Sequence, residues 1–169
     1  MKLRPMHASD AAAVLAIQQA AYGPHFHEDW TVLGAKLALY PQGCWVAQAE
    51  AQVGAYLFSH PARLGQPLAL HGALTLLPAD PDCYYLHDLA IHPDWQGRGL
   101  GTQLRQCFDT LATQAGQRVR ALVAVQNSRA FWERQGFDQA TPLSPAAQQA
   151  LAAYGPDAVA LHGQAPSSR

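Results

Sequence analysis

The stretch HPDWQGRGLG, His92 to Gly101, sets three glycines at alternate positions between a hydrophobic run, CYYLHDLAIHP, and an amphipathic one, LGTQLRQCFDTLATQAG. The first run reads as a strand ended by Pro93. In the second, Leu100, Leu104, Cys107, Phe108 and Leu111 recur at helical spacing. Glycine at a helix start costs roughly 0.5–1 kcal/mol against alanine, so Gly97, Gly99 and Gly101 need a reason. The first N–H groups of a helix are unpaired, point at one spot and share the positive end of the dipole. A turn without side chains would let a bulky phosphate group reach them. The other reading is a tight loop that uses glycine for its backbone angles alone. Three alternate glycines at a strand-to-helix junction favour the ligand.

The spacing excludes two phosphate motifs. No lysine follows the glycines as a P-loop requires, and the dinucleotide pattern G-x-G-x-x-G fails from Gly97, where its third position is Thr102, and from Gly99, where it is Leu104. What stands is Gln96-x-x-Gly99-x-Gly101. This resembles the signature [Arg/Gln]-x-x-Gly-x-[Gly/Ala] of the GNAT superfamily of acyl-CoA-dependent N-acyltransferases. The resemblance extends to YYLHDLAIHP, similar to the family's central strand. It extends also to Asn127 opening NSRAFWERQGF, similar to a segment that usually reads N-x-x-[A]-x-x-[FY]-Y-x-x-x-G-F.

Outward from the glycine turn, the patterning covers the whole chain. KLRPM reads as a strand, and Ser9-Asp10 offers an N-cap to AAAVLAIQQAAY, whose Val14, Ile17 and Ala21 share a face. EDWTVLGAKLALYPQG reads as a second helix with Trp30, Leu33 and Leu37 on one side. CWVAQAEAQVGAYLFSHP reads as a hairpin turning near Glu50, and residues 62–82, rich in Pro, Gly and Ala, as an irregular excursion. RALVAVQ is a buried-type strand, NSRAFWERQGF a short helix, LSPAAQQALAAYG a capped helix and DAVALHG a final strand. The order β-α-α-β-β-β-α-β-α-β-α-β defines a mixed α/β domain of the α+β type over residues 1–163, with 164–169 expected to be a disordered tail. The resemblance implies the GNAT fold, a mixed and mostly antiparallel central sheet with a splayed central strand, flanked by helices.

Composition narrows the partners. At 169 residues the chain fits one domain with a real core, and 49% hydrophobic with 14% charged residues is a globular composition. Eleven basic and twelve acidic side chains give a net charge of −1 with no basic stripe, so no nucleic-acid partner is expected. No apolar run reaches the length of a membrane span, so no membrane partner is expected, and MKLRPMHASD lacks a signal-peptide core. A cytoplasmic location is the expectation. Cys44, Cys83 and Cys107 are dispersed, and neither they nor the eight histidines show metal-ligand spacing, so no metal is expected. Strand edges often pair in this superfamily, and DAVALHG is a candidate for a homodimer contact.

The resemblance also implies a site. The amides of Gln96, Gly97, Arg98, Gly99, Leu100, Gly101 and Thr102 would hold the coenzyme A pyrophosphate, with the Arg98 side chain either meeting a phosphate or solvated. Leu89 and Ile91 would pair with the pantetheine arm, with the Leu89 N–H facing the thioester oxygen as a one-donor oxyanion site. Asn127 would pair with the pantetheine or with the backbone beside it. Acyl transfer needs a neutral amine, hence a base on the substrate side of the central strand. On a regular strand Tyr85, His87 and Leu89 point one way and Leu86, Asp88 and Ala90 the other, which puts His87 on the Leu89 face. In polyamine-acetylating relatives this position and the next are acidic; here they are His87 and Asp88. Histidine, with an ordinary pKa near ~6.5, suits a base, and Asp88 would orient it or meet the substrate if a bulge or splay turned it inward. The bland alternative is a histidine packed in the sheet and an aspartate capping a loop.

One position departs from the family pattern. Trp132 stands where a tyrosine usually protonates the departing sulfur, and an indole N–H is no acid at physiological pH. Tyr22, Tyr84 and Tyr85 are candidate substitutes. The substrate pocket is expected between YGPHFHEDW, with Tyr22, Phe26, Glu28 and Asp29, and the 62–82 excursion. The leading expectation is an acetyl-CoA-dependent N-acetyltransferase acting on a primary amine of a small molecule or protein by direct attack in a ternary complex. Its rival is an acyl-CoA-binding sensor or partner module of the same fold that turns nothing over; Trp132 favours the rival and His87-Asp88 opposes it.

Overall fold

The computed structural model describes residues 1–167 and follows the expected element order. Strand β1 (Lys2–Pro5) leads to helices α1 (Ala11–Ala21) and α2 (Trp30–Leu39), then to strands β2 (Cys44–Ala49), β3 (Gln52–Ala62) and β4 (Cys83–Ile91). Helix α3 (Leu100–Gln114), β5 (Val119–Ala124), α4 (Arg129–Arg134), β6 (Gln139–Ala140), α5 (Pro145–Ala152) and β7 (Val159–Gln164) complete it. The strands form one seven-stranded sheet in the order β1-β2-β3-β4-β5-β7-β6. Every neighbouring pair is antiparallel except β4 with β5.

Local chemistry explains the elements. The β2–β3 hairpin turns at Glu50, whose φ of 52° is left-handed. Ser144 caps α5, its hydroxyl accepting the Ala147 N–H at 3.2 Å, with Pro145 in the first turn. At the start of α1 the expected side-chain cap is absent. Asp10 turns back instead and accepts both Arg4 guanidinium nitrogens at 2.8 Å and the His7 N–H at 2.8 Å, because a bidentate charged partner outcompetes a neutral amide.

The sheet buries both faces. On one, Leu100, Leu104, Phe108 and Leu111 of α3 pack on Leu57, Tyr84, Leu86 and Leu122. On the other, Val14 and Ile17 of α1 and Leu33 and Leu37 of α2 pack on Val46, Tyr56, Phe58 and Ala90. Residues 63–82 carry no helix or strand, and their ends are tied by Asp82 N–H to Ala62 O at 3.0 Å and Leu64 N–H to Asp82 Oδ1 at 2.6 Å. Among the described residues no helix is long and apolar enough to cross a membrane.

Two observations bear on the expectations for the C-terminal end. Strand β7 lies between β5 and β6: β6 pairs with Leu161 and His162, and the Thr141 N–H donates to Ala160 O. The centre of its outer side is therefore covered, and β7 is not the edge strand of the sheet. The strand also runs through Gln164, and the Ala165 N–H donates to Arg118 O at 2.7 Å. Of the expected tail, Ser168 and Arg169 lie outside the described residues.

The feature that positions the site is the join between β4 and β5. These strands pair only over Tyr84–Leu86 with Arg120–Leu122. Beyond Leu86 they part, and among the described residues no strand pairs with the second half of β4 on that side.

Candidate active site

The gap between β4 and β5 opens into a cavity of about 540 Å³. At one end lie Gln96, Gly97, Gly99, Gly101 and Thr102; at the other, Tyr22, Glu28, His87, Asp88 and Tyr154. Leu89, Ile91 and Trp132 line the stretch between.

At the glycine end, Gly97 and Gly99 both have a φ of +75°, so these two glycines are required by the backbone itself. The angle-based reading therefore accounts for Gly97 and Gly99. Gly101 is different. Its backbone is helical, and a Cβ built on it would meet only Ile91 Cδ1, at 3.6 Å. Room exists in the protein for a side chain there, and the space it would enter is the cavity. The Gln96 N–H is already spent on Pro93 O at 3.2 Å, and helical bonding begins with Gln103 N–H to Gly99 O. The free donors are thus the N–H groups from Gly97 to Thr102. The Arg98 side chain turns away from the cavity, donating to Asp94 O at 3.0 Å with its guanidinium 5.3 Å from the Trp95 ring centre.

Along the open edge of β4, the His92 N–H donates to Gly54 O of β3. Alternation then turns the N–H and C=O of Ala90 toward β3, and those of Leu89 and Ile91 away from it, into the gap. Leu89 O accordingly lies 2.8 Å from the Tyr22 hydroxyl, and the Leu89 N–H points the same way.

The expected face assignment of β4 holds through His87 and is wrong beyond it, and the cause is a β-bulge. Phe58 of β3 pairs with Asp88, but the next residue, Ser59, pairs with Leu86, which leaves His87 as the extra residue. The bulge resets the alternation. Leu89 and Ile91 join Leu86 on the α3 side, whereas His87 and Asp88 both face the α1–α2 side. His87 therefore does not share a face with Leu89; it flanks the strand at that point. Asp88 is turned inward, as only a bulge permits.

Each of these side chains has a partner brought by another element. His87 Nε2 lies 2.7 Å from Glu28 Oε1, with the two side chains 1% and 3% exposed. Glu28 is held by Gln18 of α1, whose amide accepts the Glu28 N–H at 3.1 Å and donates to Glu28 O at 2.9 Å. The second Glu28 oxygen accepts the His71 N–H at 2.9 Å. Asp88 Oδ1 lies 2.9 Å from the Tyr22 hydroxyl and Oδ2 accepts the Tyr56 hydroxyl at 2.7 Å. Nearby, the Lys36 ammonium and His87 Nδ1 are buried without a protein partner.

The electrostatics follow from burial set against pairing. Burial raises the Glu28 carboxyl, but His87, Lys36 and the His71 amide outweigh it and hold it below its usual range. For Asp88 burial wins over His87 and the two tyrosines, and its pKa is raised. Burial lowers Lys36, opposed by Glu28 and Asp88. Tyr22 is pushed well above its usual range by burial and by Asp88, so it serves as a neutral donor.

Other expected positions sort out plainly. Trp132 lines the cavity, its ring edge-on to Phe137 and Phe131 with centroids 5.6 and 5.0 Å away. Asn127 is exposed, with a left-handed φ of 57°; the structure places it in a turn and does not bring it to the cavity wall. Of the three tyrosines considered for Trp132's missing hydroxyl, only Tyr22 lines the cavity; Tyr84 packs on Phe108 and Tyr85 is buried in the sheet. Phe26 and Glu28 line the pocket, and Asp29 does not. Sequence reasoning missed Tyr56, Tyr154, Leu70 and Lys36. The one visible sign was Lys36, a charge on the buried stripe of α2 between Leu33 and Leu37.

Comparison with known proteins agrees with this geometry. Residues 11–137 match the model of the acetyltransferase (GNAT) family, and the chain belongs to that family. No curated protein sequence matches it. Among solved structures it is similar to the GphF GNAT-like decarboxylase in complex with isobutyryl-CoA, with 15% identity and a TM-score of 0.71 over 97% of this chain and 99% of that one. It is also similar to Ard1 from Thermoplasma volcanium, with 14% identity and a TM-score of 0.69 over 98% of both chains. A third is the ribosomal-protein-S18-alanine N-acetyltransferase from Escherichia coli, with 16% identity and a TM-score of 0.66 over 99% of this chain and 96% of that one. At these identities the likeness carries the fold alone.

Proposed function

We propose that the protein transfers an acetyl group from acetyl-CoA to a primary amine by direct attack in a ternary complex, with His87 as the base. The observation that carries this reading is the single cavity joining the glycine turn, the open edge of β4 and the His87–Asp88 bulge. Free amides from Gly97 to Thr102 take the pyrophosphate. Leu89 and Ile91 offer their outward backbone groups to the pantetheine arm, and the Leu89 N–H donates to the thioester oxygen as negative charge develops there.

The amine enters from the α1–α2 side, between Tyr22, Phe26, Leu70 and Tyr154. Its nitrogen attacks the thioester carbon as its proton passes to His87, directly or through a water. The C–N bond forms, the C–S bond breaks, and the sulfur leaves with the electron pair. Trp132 itself supplies no hydroxyl where the family pattern has a tyrosine. With a thiol pKa around ~8.5, the thiolate leaves without an acid and takes its proton from the imidazolium or solvent. Asp88, with both oxygens held by tyrosines, fixes Tyr22 beside Leu89 O.

The reading is tested by thiol release from acetyl-CoA over a panel of amines and amino acids. Amine-dependent release with at least one of them is the expected result. The rival, acyl-CoA binding without turnover, is favoured by the missing hydroxyl at Trp132 and predicts binding with no release from any amine.

A further inference from the structure

We propose that Glu28 is a positioning residue for the transfer, fixing His87 in the tautomer that carries its proton on Nε2 and leaves Nδ1 as the acceptor. The inference rests on the reading of His87 as the base. Three observations support it. First, Glu28 Oε1 lies 2.7 Å from Nε2 while Nδ1 has no protein partner, so a carboxylate at this place selects one of two tautomers. Secondly, Glu28 is itself fixed twice, through its backbone by Gln18 and through Oε2 by the His71 N–H. Its carboxylate cannot turn away from the imidazole without breaking a bond to residues 63–82. Thirdly, His87 stays on the Tyr85 side of β4, ahead of the point where the bulge breaks the alternation, and faces this carboxylate there.

The charged and titratable groups around His87 and Glu28 are Lys36 on α2, His60 on β3, Tyr85 and Asp88 on β4, and Tyr154 beyond α5. When Nδ1 takes the amine proton, Nε2–H stays on Glu28, and the carboxylate stabilises the imidazolium. Removing that charge takes the stabilisation away and weakens the base.

The test is the pH dependence of kcat with a saturating amine for wild type, Glu28→Gln, His87→Ala and the double variant. Glutamine keeps an oxygen for Nε2–H and loses the charge. The expected result for Glu28→Gln is a kcat at least tenfold lower, an acid limb displaced from its wild-type position, unchanged acetyl-CoA affinity, and no added loss in the double variant beyond His87→Ala. A limb that stays in place in Glu28→Gln while His87→Ala abolishes it overturns the role of Glu28 and leaves the base intact. A limb that persists in His87→Ala overturns the base itself. Nitrogen-15 shifts of the His87 ring in the wild-type protein, assigned by their loss in His87→Ala, need no folded Glu28 variant. Protonation on Nε2 is expected, and protonation on Nδ1 overturns the proposal.

Discussion

Substituting Gly101 separates ligand binding from folding, because the two effects have opposite signs there. The residue is the second of α3, and its Cβ meets nothing nearer than Ile91 Cδ1 at 3.6 Å. Gly101→Ala therefore costs no clash and gains helix propensity, about 0.5–1 kcal/mol of stability. Gly101→Val keeps part of that gain, but its methyl groups reach a further bond length, about 1.5 Å, into the space in front of the free amides. Acetyl-CoA affinity in Gly101→Val should fall at least tenfold, which is about 1.4 kcal/mol, while stability stays at or above wild type. Gly99→Ala behaves differently: at a φ of +75° it loses roughly 1–2 kcal/mol of stability through backbone strain. Calorimetric titration with acetyl-CoA and urea unfolding on the same preparations measure both quantities. Wild-type affinity in Gly101→Val, or an affinity loss that only tracks a stability loss, would show that the phosphate does not sit at this turn.

Three further outcomes follow from named contacts. Tyr56→Phe removes the buried donor to Asp88 Oδ2 at 2.7 Å and should cost about 1.5–3 kcal/mol in urea unfolding; a loss below about 0.5 kcal/mol refutes the bond's role. A Cβ on Gly54 would lie 1.9 Å from the Trp95 ring, so Gly54→Ala should displace Trp95 from the cavity wall and weaken acetyl-CoA binding, and unchanged tryptophan fluorescence and affinity would contradict this. Burial lowers His60 from 6.5 to about 4, so its contribution is fully present above pH 6.5 and is lost as pH falls through that interval. At about 1.36 kcal/mol per unit, the loss is up to roughly 3 kcal/mol. His60→Leu should flatten the stability profile between pH 6.5 and 4, and a profile parallel to wild type would rule this out.

Local periodicity made most of the fold legible. The alternation in β3 and β4, the apolar stripe of α3 and the Ser144-Pro145 cap are short-range patterns, and each became the element expected of it. The glycine turn was legible for the same reason. The His87 end of the cavity was not, because it depends on one residue of register. The bulge at His87 has no local marker, and assuming a strict period of two put His87 and Leu89 on one face. The partners were hidden by distance along the chain: Glu28 is 59 residues from His87 and Tyr22 is 66 from Asp88. Glu28 was visible as an acidic residue near the pocket, but nothing local showed that both its oxygens are committed within the protein.

The most direct test of the proposed reaction is the pH–rate profile for wild type and His87→Ala at saturating acetyl-CoA and amine. With His87 as base, the wild-type rate rises with pH through a single ionisation, and His87→Ala removes that ionisation and slows turnover by roughly 10²–10⁴-fold. Acetyl-CoA binding stays unchanged, since the coenzyme meets backbone groups further along the cavity. A His87→Ala protein that keeps both the wild-type rate and its pH dependence would contradict the account and move the base elsewhere in the cavity.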